Sequence, residues 1–191
     1  MSAQVNKILS TGYYNIKNIS KIRKNLSKDD TKIVVNALVT SHLDNGNSLL
    51  YGIPKKYLNK LQVMQNSAAR VVEKLRKFDS ITEVRKNLHW LPVQARIEFK
   101  IRSFTWLSLN KIAPDYLQEL LKEKQTDIFL RNKKDNLLQI PITNLSTYGD
   151  RAFEKVAPVL WNKIPLQIRQ SATITTFKSQ LKTHMFNQYY S

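Results

Sequence analysis

The chain contains no cysteine among its 191 residues, which excludes disulfide bonds and thiolate metal ligands. Glycine occurs only four times and proline six times. Because these two residues are the strongest interruptions of regular backbone structure, their scarcity predicts that most of the chain is helical. No apolar run approaches the roughly 20 residues that a membrane-spanning helix needs, so no membrane partner is expected through a spanning segment.

The residues that usually carry catalysis are also sparse. The three histidines are far apart in sequence, and neither an HExxH spacing nor a Gly-x-Ser-x-Gly elbow occurs. The only Asp-Asp pair, Asp29-Asp30, follows Ser27 and precedes a helical pattern, so we expect it to cap a helix rather than hold metal. His89, beside Trp90, is expected to be packed as a structural residue. No catalytic residue, metal site or cofactor is predicted.

Acidic residues are few, with 14 Asp and Glu against 31 Lys and Arg, which gives a formal net charge of +17. The first acid is Asp29, so every charged side chain before it is a cation. A surface of this kind attracts polyanions, because binding to phosphates releases condensed counterions. The predicted partner is therefore RNA, an RNA–DNA hybrid or DNA, and an anionic membrane surface is the less favoured alternative.

Three amphipathic helices are predicted within residues 1–77. The apolar face of the first comprises Val5, Ile8, Leu9, Tyr13, Ile16, Ile19 and Leu26, at helical spacing. A cap at Ser27 opens the second helix, which Asn45-Gly46 ends, and Pro54 opens the third. The expected inner face of the second helix is Ile33, Val34, Ala37, Leu38 and Ser41. The expected buried stripe of the third is Tyr57, Leu58, Leu61, Met64, Ala68, Val71 and Leu75.

Residues 78–191 are predicted to form a second, mostly helical domain. Its expected helices cover about residues 80–88, 92–109, 114–122, 150–161 and 174–187. Two short apolar runs flank Asn132-Lys133-Lys134-Asp135, which predicts a β-hairpin near residues 127–141. The predicted fold class is thus mainly α, a helical bundle followed by a mostly helical domain with a small β-hairpin.

A lysine-rich surface is the candidate binding site. It comprises Lys17, Lys21 and Lys24 on the first helix, and Lys55, Lys56 and Lys60 on the third. Lysine suits contact with a phosphate backbone because it is a flexible point charge without bidentate geometry. Tyr14 is the aromatic residue assigned to base stacking, whereas Tyr13, Trp90 and Trp106 are expected in the core. The alternative is a solvated face that only maintains solubility.

Several ordered motifs resemble the C-terminal region of the reverse transcriptases of jockey-like non-LTR retrotransposons, which are RNA-directed DNA polymerases of LINE type. The most specific are Leu88-His89-Trp90-Leu91-Pro92-Val93, Arg96-Ile97-Glu98-Phe99-Lys100 and Tyr148-Gly149-Asp150-Arg151-Ala152-Phe153. Further matches include Asn47-Ser48-Leu49-Leu50-Tyr51-Gly52, Gln65-Asn66-Ser67-Ala68-Ala69-Arg70, Ala113-Pro114-Asp115-Tyr116-Leu117 and Leu160-Trp161-Asn162. The resemblance covers nearly the whole chain.

This resemblance implies a thumb-like bundle over residues 1–77, which would grip a template–primer duplex. Residues 78–191 would form the C-terminal domain that engages element RNA or target DNA. The palm domain with its catalytic carboxylates would lie upstream in the parent polyprotein, so the chain would be a non-catalytic fragment, and its Met1 start suggests a truncated reading frame.

Asn45-Gly46 departs from the family, which has an aromatic residue and a cysteine there; it fits either a decaying copy or a neutral helix stop. The alternative function is a host-adopted protein-interaction module.

Overall fold

The computed structural model describes residues 2–76, 79–124, 136–142 and 149–190. These residues are mainly helical, as predicted. The chain divides into two compact units, of which unit 1 comprises residues 1–97 with Tyr190 and unit 2 comprises residues 98–189. The division falls inside a helix, and the boundary predicted at residue 77 stays a prediction.

Unit 1 contains the predicted succession of helices. They are α1 (Ser2–Ile22), α2 (Lys28–Val35), α3 (Ser41–Asp44), α4 (Lys55–Glu73), α5 (Ile81–Asn87) and the start of α6 (Val93–Leu109). The cap predicted at Ser27 is confirmed, because its Oγ accepts a hydrogen bond from the Asp30 amide at 3.1 Å. Gly46 has a left-handed φ of 64° directly after α3, so Asn45-Gly46 acts as a helix stop.

Close packing of α1 against α4 centres on Gly12. The buried residues of α1 are Val5, Ile8, Gly12, Ile16 and Ile19. Met64 of α4 is completely buried and lies across Gly12, where an added Cβ would overlap its Sδ. Glycine lowers the helix propensity at this position, but its lack of a side chain allows the two helices to approach closely. Tyr13 was expected in this core, but the structure leaves it partly exposed.

The inner face predicted for the second helix was wrong. The buried residues of this segment follow one another at intervals of four: Thr31, Val35, Val39 and Leu43. In an α-helix this interval advances about 40° per step, so the set would drift around the axis. A single wider π-helical turn at Asn36–Thr40 absorbs that drift and keeps all four inward. Ile33, which is 65% exposed, and Leu38, which is 44% exposed, lie outside this buried set.

Three helices end on non-glycine residues with left-handed backbone. Lys74, His89 and Lys111 have φ values of 55°, 54° and 58°. In each case the backbone amide of the following residue donates a hydrogen bond to the carbonyl five residues earlier. These bonds join Leu75 to Arg70 at 3.0 Å, Trp90 to Arg85 at 2.9 Å, and Ile112 to Leu107 at 2.9 Å. The expectation that His89 is packed was wrong, because this residue is exposed.

Unit 2 is built around three aromatic rings. Its elements are the remainder of α6, α7 (Asp115–Gln118), a 3₁₀ turn (Gly149–Arg151), α8 (Phe153–Trp161), α9 (Leu166–Arg169) and α10 (Ile174–Tyr190). The Phe177 ring lies 5.9 Å from that of Trp106 and 5.8 Å from that of Trp161, between centroids. The predicted 114–122 helix is shorter than expected, and α9 was not predicted.

The Asn162 amide holds the chain segment around Leu138. Its Oδ1 accepts from the Leu138 amide at 2.9 Å, and its Nδ2 donates to the Leu138 carbonyl at 2.9 Å. Trp161 Nε1 also donates to the Asn136 carbonyl at 2.7 Å. One antiparallel bridge pairs Glu123 with Leu138. The turn of the predicted hairpin lies outside the described residues, so the hairpin stays a prediction.

We expect Gly12→Ala to destabilise unit 1 by about 1–3 kcal/mol, because the new methyl group overlaps a fully buried Met64. Alanine alone would favour the helix by about 1 kcal/mol, so packing decides the sign. In a Met64→Ala background the same change should be neutral or stabilising. Urea unfolding of the four proteins measures this, and equal effects of Gly12→Ala in both backgrounds would contradict the contact.

We expect Asn162→Leu to cost about 2 kcal/mol, because both backbone groups of Leu138 lose their side-chain partner. Hydrogen exchange of the Leu138 amide should accelerate, and urea unfolding should show the loss of stability. Gln188→Leu replaces an exposed amide on α10 and serves as the control. Unchanged exchange at Leu138 in Asn162→Leu would show that the amide does not hold this segment.

Candidate nucleic-acid interface

The outward face of α1 carries cations without acidic partners. Lys7, Tyr14, Lys17 and Lys21 lie on the side of this helix opposite its buried residues, and all four are exposed. Among the described residues, the ion pairs involve Lys28, Arg96, Arg102 and Lys155, and none involves these three lysines. Their ammonium groups are therefore available to an external anion. Tyr14 is 67% exposed within the same face.

Arg23 behaves differently from its neighbour Lys24, which is exposed as predicted. The Arg23 guanidinium is buried and donates to the Val71 carbonyl at 2.9 Å, the Val72 carbonyl at 2.8 Å and the Leu26 carbonyl at 2.7 Å. Val71 and Val72 belong to the last turn of α4, whose carbonyls form the negative end of the helix dipole. Arg23 therefore fixes the end of α1 to the end of α4.

Lys55, Lys56 and Lys60 are exposed on the first two turns of α4. Pro54, before this helix, provides no side-chain cap for the free amides. Two of these cations therefore stand at the positive end of a helix dipole, where an anion is the favoured occupant. The Lys56 ammonium lies 5.0 Å from the centroid of the Tyr57 ring, a distance typical of cation–π contact.

A surface groove of about 290 Å³ lies between α1 and α4. It is lined by Leu9 and Tyr13 of α1 and by Asn59, Lys60 and Val63 of α4. Side chains four residues apart on a helix are neighbours, so Lys17 lies one turn beyond Tyr13 and Lys56 one turn before Lys60. The groove is therefore flanked by cations on both helices.

The predicted site residues divide into groups around this groove. Lys60 lines it, and Lys17 and Lys56 lie one helical turn from its walls. Tyr14 and Lys21 lie further outward on α1. Lys55 lies about 140° from Lys60 around the α4 axis and thus on another side of that helix.

Sequence reasoning missed the groove residues Leu9, Tyr13, Asn59 and Val63. One sequence signal for this groove was available: Tyr13 lies at the margin of the apolar face of α1 and not at its centre, which favours partial exposure of its ring.

No family model matches the chain, and no curated protein and no solved structure shows significant similarity to it. Within the described ranges, no group of three or more His, Asp or Glu could hold a metal ion. In the same part of the chain, no helix is long and apolar enough to cross a membrane. The resemblance to non-LTR reverse transcriptases therefore remains a hypothesis based on the sequence motifs.

We expect Arg23→Met to destabilise the protein by about 2–3 kcal/mol, since three carbonyls lose a charged donor. Lys24→Met removes the same charge from an exposed neighbour and should leave stability within about 0.5 kcal/mol. Thermal and urea unfolding of the two variants provide the comparison. Equal stability of both would show that Arg23 does not anchor α1 to α4.

Proposed function

We propose that the chain is the C-terminal part of a jockey-like non-LTR retrotransposon reverse transcriptase, comprising the thumb and the C-terminal domain. It binds a template–primer duplex or element RNA through a basic helical surface and performs no chemistry itself. The observation that carries the binding proposal is the groove between α1 and α4, with exposed lysines on both helices. The polymerase chemistry belongs to an upstream palm domain.

The electrostatics of unit 1 support binding to a phosphate backbone. Residues 1–28 contain no acid, and the first acid of α4 is Glu73, whose carboxylate pairs with Lys28 at 2.8 Å. Among the residues that the structure describes, no carboxylate pairs with Lys17, Lys56 or Lys60. Since they are already exposed, contact with phosphates costs little additional ordering of the protein backbone. Counterion release from the nucleic acid then favours binding largely regardless of sequence.

The thumb assignment is supported by the order of elements in unit 1. α1, the α2–α3 segment and α4 follow one another in the chain, and each has a buried apolar side. The hairpin near residues 127–141 belongs to the same proposal, as part of a C-terminal domain that contacts element RNA or target DNA.

The proposal predicts a salt-dependent affinity that depends on three particular lysines. Replacing all three of Lys17, Lys56 and Lys60 by Gln should weaken binding to an RNA–DNA hybrid. The steepness of log affinity against log salt concentration should fall by about one per lost phosphate contact. Binding is measured between about 50 and 200 mM salt, where several phosphate contacts change affinity by orders of magnitude.

The matched control replaces Lys74, Arg76 and Lys86 by Gln, which removes the same charge from exposed positions of unit 1 that do not line the groove. Its slope should stay near that of the wild type. Equal losses in both triple variants would indicate a general charge effect and not a site. Absence of wild-type binding at low salt would contradict the proposed function itself.

A host-adopted protein-interaction module is the second candidate. The observation favouring it is the exposure of Ile33 and Leu38 on the segment between Lys28 and Asp44. Apolar side chains on a surface favour contacts that do not depend on salt. A stable protein complex that survives nuclease treatment and high salt, together with no hybrid binding, would favour this function.

A further inference from the structure

We propose that the groove between α1 and α4 holds one unpaired base of a nucleic-acid strand, stacked on Tyr13, with a neighbouring phosphate at Lys60. This inference rests on the proposed function and identifies the part of the ligand that unit 1 recognises. It assigns base stacking to Tyr13, whereas the sequence had suggested Tyr14.

The lining of the groove has the parts that a base requires. Leu9 and Val63 provide apolar surface, and Val63 is 53% exposed at the opening. Tyr13 is 41% exposed, so part of its ring is accessible and the rest is supported by packing. Asn59 carries both a donor and an acceptor for the polar edge of a base. Aromatic stacking of this kind accepts any base, since each has a π face.

The surrounding charge favours a nucleotide over an apolar side chain of a protein partner. Lys60 lines the groove, and Lys17 and Lys56 lie one helical turn from its walls. No acid occurs in residues 1–28 or in α4 before Glu73. An apolar protein segment would leave these cations without counterparts, whereas a strand supplies a ring for Tyr13 and phosphates for the lysines.

The base in the groove must be unpaired. In a duplex both faces of each internal base are already covered by neighbouring bases, so stacking on Tyr13 requires a base that has left the stack. Single strands and overhangs supply such a base without the cost of opening a base pair. The groove therefore adds a preference for unpaired nucleotides to the general attraction of the lysines for phosphate.

The test compares a short oligouridine with an abasic strand of the same length and charge. Tyr13→Leu should weaken binding to the oligouridine by about tenfold, because the base loses its stacking partner, and should leave binding to the abasic strand unchanged. Tyr13→Phe keeps the ring and should retain wild-type affinity for both strands. Tyr116→Leu, which removes an exposed tyrosine of unit 2, is the position control.

A second variant guards against misfolding of Tyr13→Leu. Val63→Glu places a carboxylate at the exposed opening and should weaken both strands, the oligouridine more strongly, whereas Val63→Gln should have a smaller effect on both. Circular dichroism and thermal unfolding verify the fold of each variant.

Failure of the wild type to bind either strand, while it still binds the RNA–DNA hybrid, would overturn the base site alone, whereas failure to bind both strands and the hybrid would contradict the proposed function. Normal wild-type binding with equal effects of Tyr13→Leu on both strands, or no effect, would overturn the base site alone.

Discussion

The close packing of α1 against α4 is the constraint on which unit 1 depends. Gly12 permits Met64 to lie across α1, and Arg23 bonds the end of α1 to the last carbonyls of α4. With the two helices fixed at both places, Tyr13 comes to lie in the same groove as Lys60. Fully burying one aliphatic side chain stabilises the folded state by about 1.5–3 kcal/mol. The buried side chains of α1 therefore contribute more to stability than weak interactions at its surface do.

The same packing separates two kinds of cation. Arg23 is buried, and its partners are carbonyls at the negative end of a helix dipole, so it needs no carboxylate. The exposed lysines remain hydrated, and their mutual repulsion is screened beyond about 8–10 Å at physiological salt. The excess positive charge still disfavours the compact state in isolation. A bound polyanion removes this repulsion, and any ligand that binds only the folded state stabilises it.

Much of the helical pattern follows from local signals, and the failures have physical causes. Ser27, Gly46 and Pro54 were predictable as helix boundaries because each acts through its own backbone or side chain. The inner face of the second predicted helix was not, since it begins at the polar residue Thr31 and a π-helical turn after α2 changes the period that a helical wheel assumes. Left-handed helix ends at lysine and histidine carry no glycine signal. The candidate lysines were predictable as exposed, but their grouping around a groove depends on how α1 and α4 pack.

Fold and binding in unit 1 are therefore coupled through one contact. The groove has walls from both helices, so it exists only while α1 is packed against α4. A ligand that fills the groove binds only the packed state. The ligand therefore stabilises the packing of α1 against α4, and this packing strengthens ligand binding by the same coupling free energy. The lysines further outward, such as Lys21, lie on α1 alone and need no partner helix. Phosphate attraction can thus survive loosening of the bundle, whereas recognition of an unpaired base cannot.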